Sequence, residues 1–265
     1  MIKIYNKVKV FANELSFIKN KKIRGFAEKA ISELPDYFFE VAASSTGKYH
    51  TQYALGAGGL VRHTKGAAII ANDLLELEMY GSYTSDEKDL MIVSVILHDG
   101  KKHGEEKSEY TVAEHPLVVA EWIKNNKNLN SLLPVEQINF IYDGIISHMG
   151  QWNTDSKTKK VILPKPTTKY QKFIHQCDYL ASRKYLNFDF GDNYYDPKDF
   201  LDDGLSELIQ NINAMCKKYI KNGVNKSDLY QIIADNNEGN KNPNSIGNAE
   251  EAQKIIKILE DTFNG

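Results

Sequence analysis

MIVSVILHDGKK, residues 91–102, is the stretch on which the reading of this chain turns. Met91, Val95 and His98 fall at i, i+4 and i+7, so they share one face of a helix, and Asp99 follows at its C-terminal end. An imidazole and a carboxylate at the end of an apolar helix cost free energy unless partners compensate them.

Working outward, the same arrangement recurs on three more helices. His63, Ala67, Ile70, Leu74 and Leu77 form one stripe; Ile138, Ile141, Ile145 and His148 form another; Ile174, Asp178, Ala181 and Tyr185 form a third. His115 lies between the helix of His98 and that of His148. A single core histidine bonded to a backbone carbonyl needs no special explanation. Four histidines and two aspartates on converging apolar faces do, and a divalent cation is the simplest common partner.

The fold expected from this pattern is all-α, because helical spacing of Leu, Ile and Ala runs through most of the 265 residues. Alternation of the strand type is confined to short stretches such as Ile2 to Val10. The predicted helices cover about 24–42 (broken near Pro35), 60–80, 86–98, 112–126, 135–148, 168–187, 202–221, 227–235 and 249–263. Thr84 with Glu87, and Thr111 with Glu114, have the spacing of capping boxes. The domain reading is an N-terminal helical segment (1–49) packed on a core domain (50–187), then a C-terminal helical extension (188–265) with an exposed Asn- and Gly-rich linker near 235–248. The acidic, aromatic segment 187–203 reads as a surface connection packed by its own Tyr and Phe, with a ligand-binding loop or lid as the alternative.

Composition excludes several classes. Hydrophobic residues make up 42% and charged residues 26%, as in a globular rather than a disordered chain. A formal charge of -2 gives no global pull toward nucleic acid or membrane, so phosphate binding must be local. No stretch approaches the roughly 20 apolar residues that span a bilayer. The first residues lack a secretory apolar run, and Cys177 and Cys216 offer no paired framework or zinc spacing. The expected setting is cytoplasmic, with both thiols buried.

GGLVRHT (58–64), ILHDGKK (96–102), EHP (114–116), ISHMGQW (146–152) and QCDYLASRK (176–184) together resemble the HD superfamily of metal-dependent phosphohydrolases over about residues 50–185. The H, HD, H, H, D order is similar to the branch that holds two metals. The Tyr49-His50 pair, the glycines before His63 and the SHMG stretch are similar in particular to the HD domain of YhaM-type 3′–5′ exoribonucleases, without the OB-fold that precedes it there. The turn after the pair, commonly His-Asp-Ile-Gly-Lys, here reads His98-Asp99-Gly100-Lys101-Lys102, which keeps the lysine and moves the glycine.

The resemblance implies an HD-type helical bundle with added N- and C-terminal helices. It places His63, His98, Asp99 and Asp178 around a first metal and His115 and His148 around a second, with Asp99 bridging. The ligand types suit Mn or Fe first, then Ni, Co or Zn, with Mg a poor choice on its own. The implied reaction is hydrolysis of a nucleotide phosphoester, a monoester or a cyclic or oligonucleotide diester, by a hydroxide held between the metals. Asp99 and Lys102 are the catalytic candidates; Lys102, Arg183, Trp152 and His175 are the candidates for binding substrate, with Tyr179 a further stacking candidate.

Other residues carry competing readings. Lys102 is either a cation for phosphate or a solvated lysine; Arg62 and Lys65 are candidates for the mouth of the site; His50 and His103 read as exposed. The lysines Lys157, Lys159, Lys160, Lys165, Lys169 and Lys172 form the strongest local basic patch, whose default reading is a solvated face. Two alternatives to hydrolysis stand: an HD-like di-iron oxygenase, and a metal-stabilised nucleotide-binding module without turnover. The expected partner is a nucleotide or short oligonucleotide, with no membrane; a homodimer is compatible with the sequence.

Overall fold

The computed structural model describes residues 6–44, 50–155, 158–200, 205–237, 239–243, 246 and 249–263. Tyr49 and Lys157, and with them part of the expected strand-like stretch at 2–10 and of the linker near 235–248, lie outside the described residues. The architecture is all-α. Among the described residues thirteen α-helices are formed, and the one β feature is an isolated antiparallel bridge between Thr154 and Val161. The chain divides into two compact units, residues 1–200 and 201–265.

The first unit contains α1 (Lys7–Val10), α2 (Ala12–Ser16), α3 (Lys21–Glu33), α4 (Asp36–Glu40), α5 (Gly59–Leu75), α6 (Ser85–Leu97), α7 (His115–Asn125), α8 (Lys127–Asn130), α9 (Val135–Ile146) and α10 (Lys169–Ala181). Its centre is α6, an apolar helix that packs against α3, α5, α9 and α10, while α7 packs on α9 and α10 on α5. Buried side chains of all these helices form one core, from Val10 and Phe11 through Ile92 and Ile96 to Ile174 and Ala181.

Local chemistry explains most boundaries. Pro35 removes a donor and holds Leu34 extended, which ends α3 and starts α4 on a new axis. The Thr84/Glu87 capping box forms as expected. The Thr111/Glu114 box does not: α7 begins at His115, Glu114 itself occupies the N-cap position, and no side chain caps it. An unanticipated box, Thr168 with Gln171, starts α10. Helix α10 stops at Ala181 rather than 187, leaving Tyr185 exposed, and α5 stops at Leu75, leaving Leu77 exposed. Residues 7–10 are helical, not a strand. The buried carboxylate of Asp89 accepts from the backbone N–H groups of Lys19 (3.1 Å) and Asn20 (2.7 Å), which ties the start of α3 to α6.

Residues 188–200, assigned from sequence to the C-terminal extension, pack with the first unit. Phe190 and Tyr195 belong to its core. Arg62 donates to the carbonyls of Tyr53, Tyr195 and Leu55 at 2.6–2.7 Å. Lys65 donates to Val10 O, Glu14 Oε2 and Asn193 Oδ1. Both side chains are therefore buried fasteners of this segment, not a lining of the site mouth.

The second unit contains α11 (Leu205–Lys221), α12 (Lys226–Asp235) and α13 (Ala249–Phe263). Ile212, Cys216 and Tyr219 of α11 join Leu229 and Ile233 of α12 and Ile255 and Leu259 of α13 in a separate core. Between α12 and α13, Asn237, Pro243 and Ile246 are buried, so the polar linker is anchored at these points rather than uniformly exposed. Cys177 and Cys216 are buried free thiols. No helix among the described residues is long and apolar enough to cross a membrane.

Candidate metal centre

Five helices deliver six side chains to one place. His63 sits in the second turn of α5, His98 caps the C-terminal end of α6 with Asp99 next to it, His115 is the first residue of α7, His148 lies just beyond α9, and Asp178 is in the last turn but one of α10. The start of α5 is fixed by Gly58, which has φ +70°; a Cβ there would lie 2.8–2.9 Å from Pro197 and Tyr195. That placement sets the rotation of the helix and hence the direction of His63.

Three of the four histidines use one local device. The Nδ1 atoms of His98, His115 and His148 lie 2.6, 2.7 and 2.8 Å from the carbonyls of Val95, Val112 and Ile145, each three residues earlier. A carbonyl oxygen only accepts, so each Nδ1 carries a proton and donates it, and in the neutral ring Nε2 is left as a lone pair. All three Nε2 atoms point inward.

What they meet is more lone pairs. His115 Nε2 is 3.3 Å from His148 Nε2 and 2.9 Å from Asp99 Oδ1, and His148 Nε2 is 3.8 Å from the same oxygen. On the other side, His98 Nε2 is 3.3 Å from Asp99 Oδ2 and 3.6 Å from Asp178 Oδ1. His63 Nε2 is 3.0 Å from Asp178 Oδ1 and 3.9 Å from Asp99 Oδ2. His98 Nε2 and Asp99 Oδ1 are buried without a hydrogen-bond partner. Acceptors facing acceptors in a buried space repel unless positive charge stands between them.

The spacing suits an ion. Ligand atoms about 2.1 Å from a transition metal stand about 3.0–3.4 Å apart in octahedral or tetrahedral arrangement; His63 with Asp178 (3.0 Å), His98 with Asp99 (3.3 Å) and His115 with His148 (3.3 Å) fall in that range, and the other pairs lie at 2.9 Å and at 3.6–3.9 Å. His63, His98 and Asp99, then His98, His148 and Asp178, and then Asp99, His115 and His148 each bring their ligand atoms within 4.8 Å of one another. These residues can hold a metal ion. Asp99 reaches both sides of the cluster because its two oxygens diverge, Oδ2 toward His63 and His98, Oδ1 toward His115 and His148.

The protonation pattern carries the same message. Burial works against a charged imidazole at His98, yet the carboxylates of Asp99 and Asp178 outweigh it and push its pKa up to about 10. Burial would raise the carboxyls of Asp99 and Asp178, but the neighbouring histidines, and for Asp99 the Lys102 ammonium, hold both well below the usual carboxylate range. His148, lacking such a pairing, is pushed by burial down to about 3. The carboxylates draw positive charge to the centre of the cluster.

Comparison with protein families, with curated proteins and with solved structures found no match for this chain.

The remaining sequence candidates divide cleanly. Lys102 is neither solvated nor free: it is buried, and its ammonium donates to Asp99 Oδ2 at 2.5 Å. His175 does not touch Asp178 as a partner; its Nδ1 donates to His148 O at 2.6 Å and so holds the carbonyl of a cluster residue. Trp152 is 50% exposed and stacks on Tyr179, over whose ring the Arg183 guanidinium carbon lies 3.9 Å from the centroid. His103 is buried, not exposed, with Nδ1 donating to Ser108 O.

His50, read from the sequence as exposed, is instead beside the cluster. It is half-buried, its ring lies edge-on to that of His63 with centroids 4.8 Å apart, and burial pushes its pKa down to about 2. Its sequence signals were the Tyr49-His50 pair and a position 13 residues before His63, outside any helical period.

Proposed function

We propose that this protein is a metal-dependent phosphohydrolase of the HD type that cleaves a nucleotide phosphoester, with two transition-metal ions, Mn or Fe, as cofactors. The observation that supports the metal part best is the convergence of Nε2 lone pairs from histidines whose Nδ1 atoms are committed to backbone carbonyls. His63, His98, Asp99 and Asp178 would hold one ion, and His115, His148 and Asp99 the other. When bound, a divalent pair of this kind supplies an activated water at neutral pH and neutralises charge on phosphoryl oxygens.

The phosphoester part rests on the resemblance of the H, HD, H, H, D order and on the chain's own cation. Lys102 lies in the same buried space as the six ligands, paired with Asp99 Oδ2. Released from that carboxylate, its ammonium becomes a donor for a non-bridging phosphate oxygen or for the leaving group. The backbone carbonyls behind His98, His115 and His148 fix ring orientation, as they would for ligands that must not rotate during turnover. Burial of five of the six side chains excludes bulk water from all but the Asp178 side.

The test is a turnover screen. Metal-depleted protein reloaded with Mn or Fe is offered mono-, di- and triphosphate nucleotides, cyclic nucleotides and short single strands, with and without oxygen, beside Asp99→Asn. Oxygen-independent release of phosphate or nucleotide, lost in the variant, supports the proposal. Turnover requiring oxygen would point to a di-iron oxygenase instead, and full activity in Asp99→Asn would sink the mechanism.

A further inference from the structure

Of the six clustered side chains, five are essentially inaccessible and Asp178 alone is 21% exposed. The way into the cluster therefore lies on the α10 side. What borders Asp178 on that helix is a continuous arrangement of flat groups. Tyr179 follows it in sequence, stacks with Trp152 at 5.9 Å between centroids and 15° between planes, and carries the Arg183 guanidinium 3.9 Å over its ring. His175, one turn earlier, completes the group, 6.2 Å from both Trp152 and Tyr179.

The arrangement is held from beneath. His175 donates to His148 O, and Gly150, with φ +58°, lies flat against the same ring; a Cβ at Gly150 would come within 2.3–2.7 Å of its atoms. Trp152 leaves that turn two residues later, so its position is coupled to the cluster histidine. Yet Trp152 stays half exposed, which a side chain serving only the core would not be. Arg183 uses Nε and Nη2 on Tyr179 O and Ser182 Oγ, which leaves Nη1 without a hydrogen bond among the described residues.

The segment that carries these rings is charged oppositely to the chain as a whole. Residues 150–185 contain eight Lys and Arg against two Asp, an excess of six positive charges in a protein of formal charge -2. Lys159, Lys160, Lys165, Lys169 and Lys172 are exposed and make no ion pair with a described residue. Flat rings on a basic segment, with the Arg183 guanidinium against one of them, suit a ligand that is both aromatic and anionic.

We propose that Trp152, backed by Tyr179 and Arg183, is a base-stacking subsite, on which a nucleotide lays one base while its phosphate enters past Asp178. The proposal rests on the phosphohydrolase reading for what happens to that phosphate, but not for the stacking itself. Any base has a π-face, so this subsite selects nucleotides over other phosphoesters without selecting a sequence.

Full-length Trp122→Phe protein loaded with Mn2+ keeps Trp152 as its one tryptophan reporter. A four-nucleotide phosphorothioate single strand, which resists cleavage, quenches its emission saturably. An abasic strand of equal length and charge binds about 5- to 150-fold more weakly, the range for losing one stacked base. Trp152→Ala in the otherwise native chain, read by anisotropy of an end-labelled strand, loses the same factor, and Trp152→Phe recovers most of it. Equal affinity for base-bearing and abasic strands, unchanged affinity in Trp152→Ala, or no binding of either strand overturns the subsite. A protein that binds in this way and hydrolyses nothing retains the subsite and loses the phosphohydrolase reading. Hydrolysis without base preference does the reverse.

Discussion

Replacing Asp99 with Asn keeps the shape of the side chain and removes the one charge shared by both halves of the cluster. Its Oδ2 faces His98 at 3.3 Å and its Oδ1 faces His115 at 2.9 Å, so no other carboxylate among the six reaches both groups. Asp178 lies closest to His63 and His98, at 3.0 and 3.6 Å, and reaches His148 only within 4.8 Å. The two aspartates should therefore fail differently. Wild-type protein, stripped with a chelator and reloaded with Mn2+, is expected to take up two ions, Asp178→Asn one, at His115, His148 and Asp99, and Asp99→Asn neither with useful affinity. An ion present at about 100 times its dissociation constant stabilises the folded state by about 2.7 kcal/mol. For a unit of this size a kcal/mol moves Tm by roughly 2–4 °C, so one ion gives about 5–11 °C and two give about twice that. Scanning calorimetry reads the shift and elemental analysis of the dialysed protein reads the ion count. A Tm indifferent to both chelator and Mn2+, or an Asp99→Asn protein that shifts as much as wild type, would refute the assignment of these residues as ligands.

Three other outcomes follow from the same geometry. With the pKa of His98 pushed up to about 10 in the metal-free protein and that of His148 held at about 3, an ion entering at pH 7–9 displaces one proton, from His98 and not from His148. Affinity for an ion at His98 then rises with pH, and calorimetric titrations in buffers of different ionisation enthalpy should report proton release that is lost in His98→Gln; binding without proton release in the wild type would contradict it. Lys102→Met is expected to keep the Mn2+-induced Tm shift while lowering turnover by about 10²–10³-fold, the usual loss for one charge-stabilising donor, and a variant with full kcat removes the lysine from the mechanism. Asp89→Ala strands the backbone donors of Lys19 and Asn20 and should cost about 3 kcal/mol in urea denaturation, far from the cluster and without changing the ion count.

Legibility of the fold followed length and periodicity. The long helices α5, α6, α9 and α13 were readable because an apolar stripe repeats several times along each. Helices of four or five residues, such as α1, α2 and α8, hold too few repeats for a period to register. The Thr111/Glu114 spacing misled because the chain before α7 is occupied elsewhere: Val112 N donates to Lys102 O and Val112 O receives His115 Nδ1, so the helix cannot begin at 112. Arg62 and Lys65 misled for a related reason. Long cations flanking a ligand histidine look like phosphate binders in one dimension, but their partners, Tyr195 O and Asn193 Oδ1, arrive from about 130 residues away.

The six cluster residues, their order along the chain and the helical class were determined by the sequence alone, five of the six as His or Asp on or beside an apolar helical stripe, which is a property of local spacing, and His115 by its place in the H, HD, H, H, D order. Folding decided what the pattern could not carry. It directed the two oxygens of Asp99 to opposite sides, placed Lys102 on that carboxylate, and left Asp178 as the one exposed member of the cluster beside Trp152 and Tyr179. Those relations are angles and distances between separate helices. They are set by how α5, α6, α7, α9 and α10 pack, not by the period within any one of them.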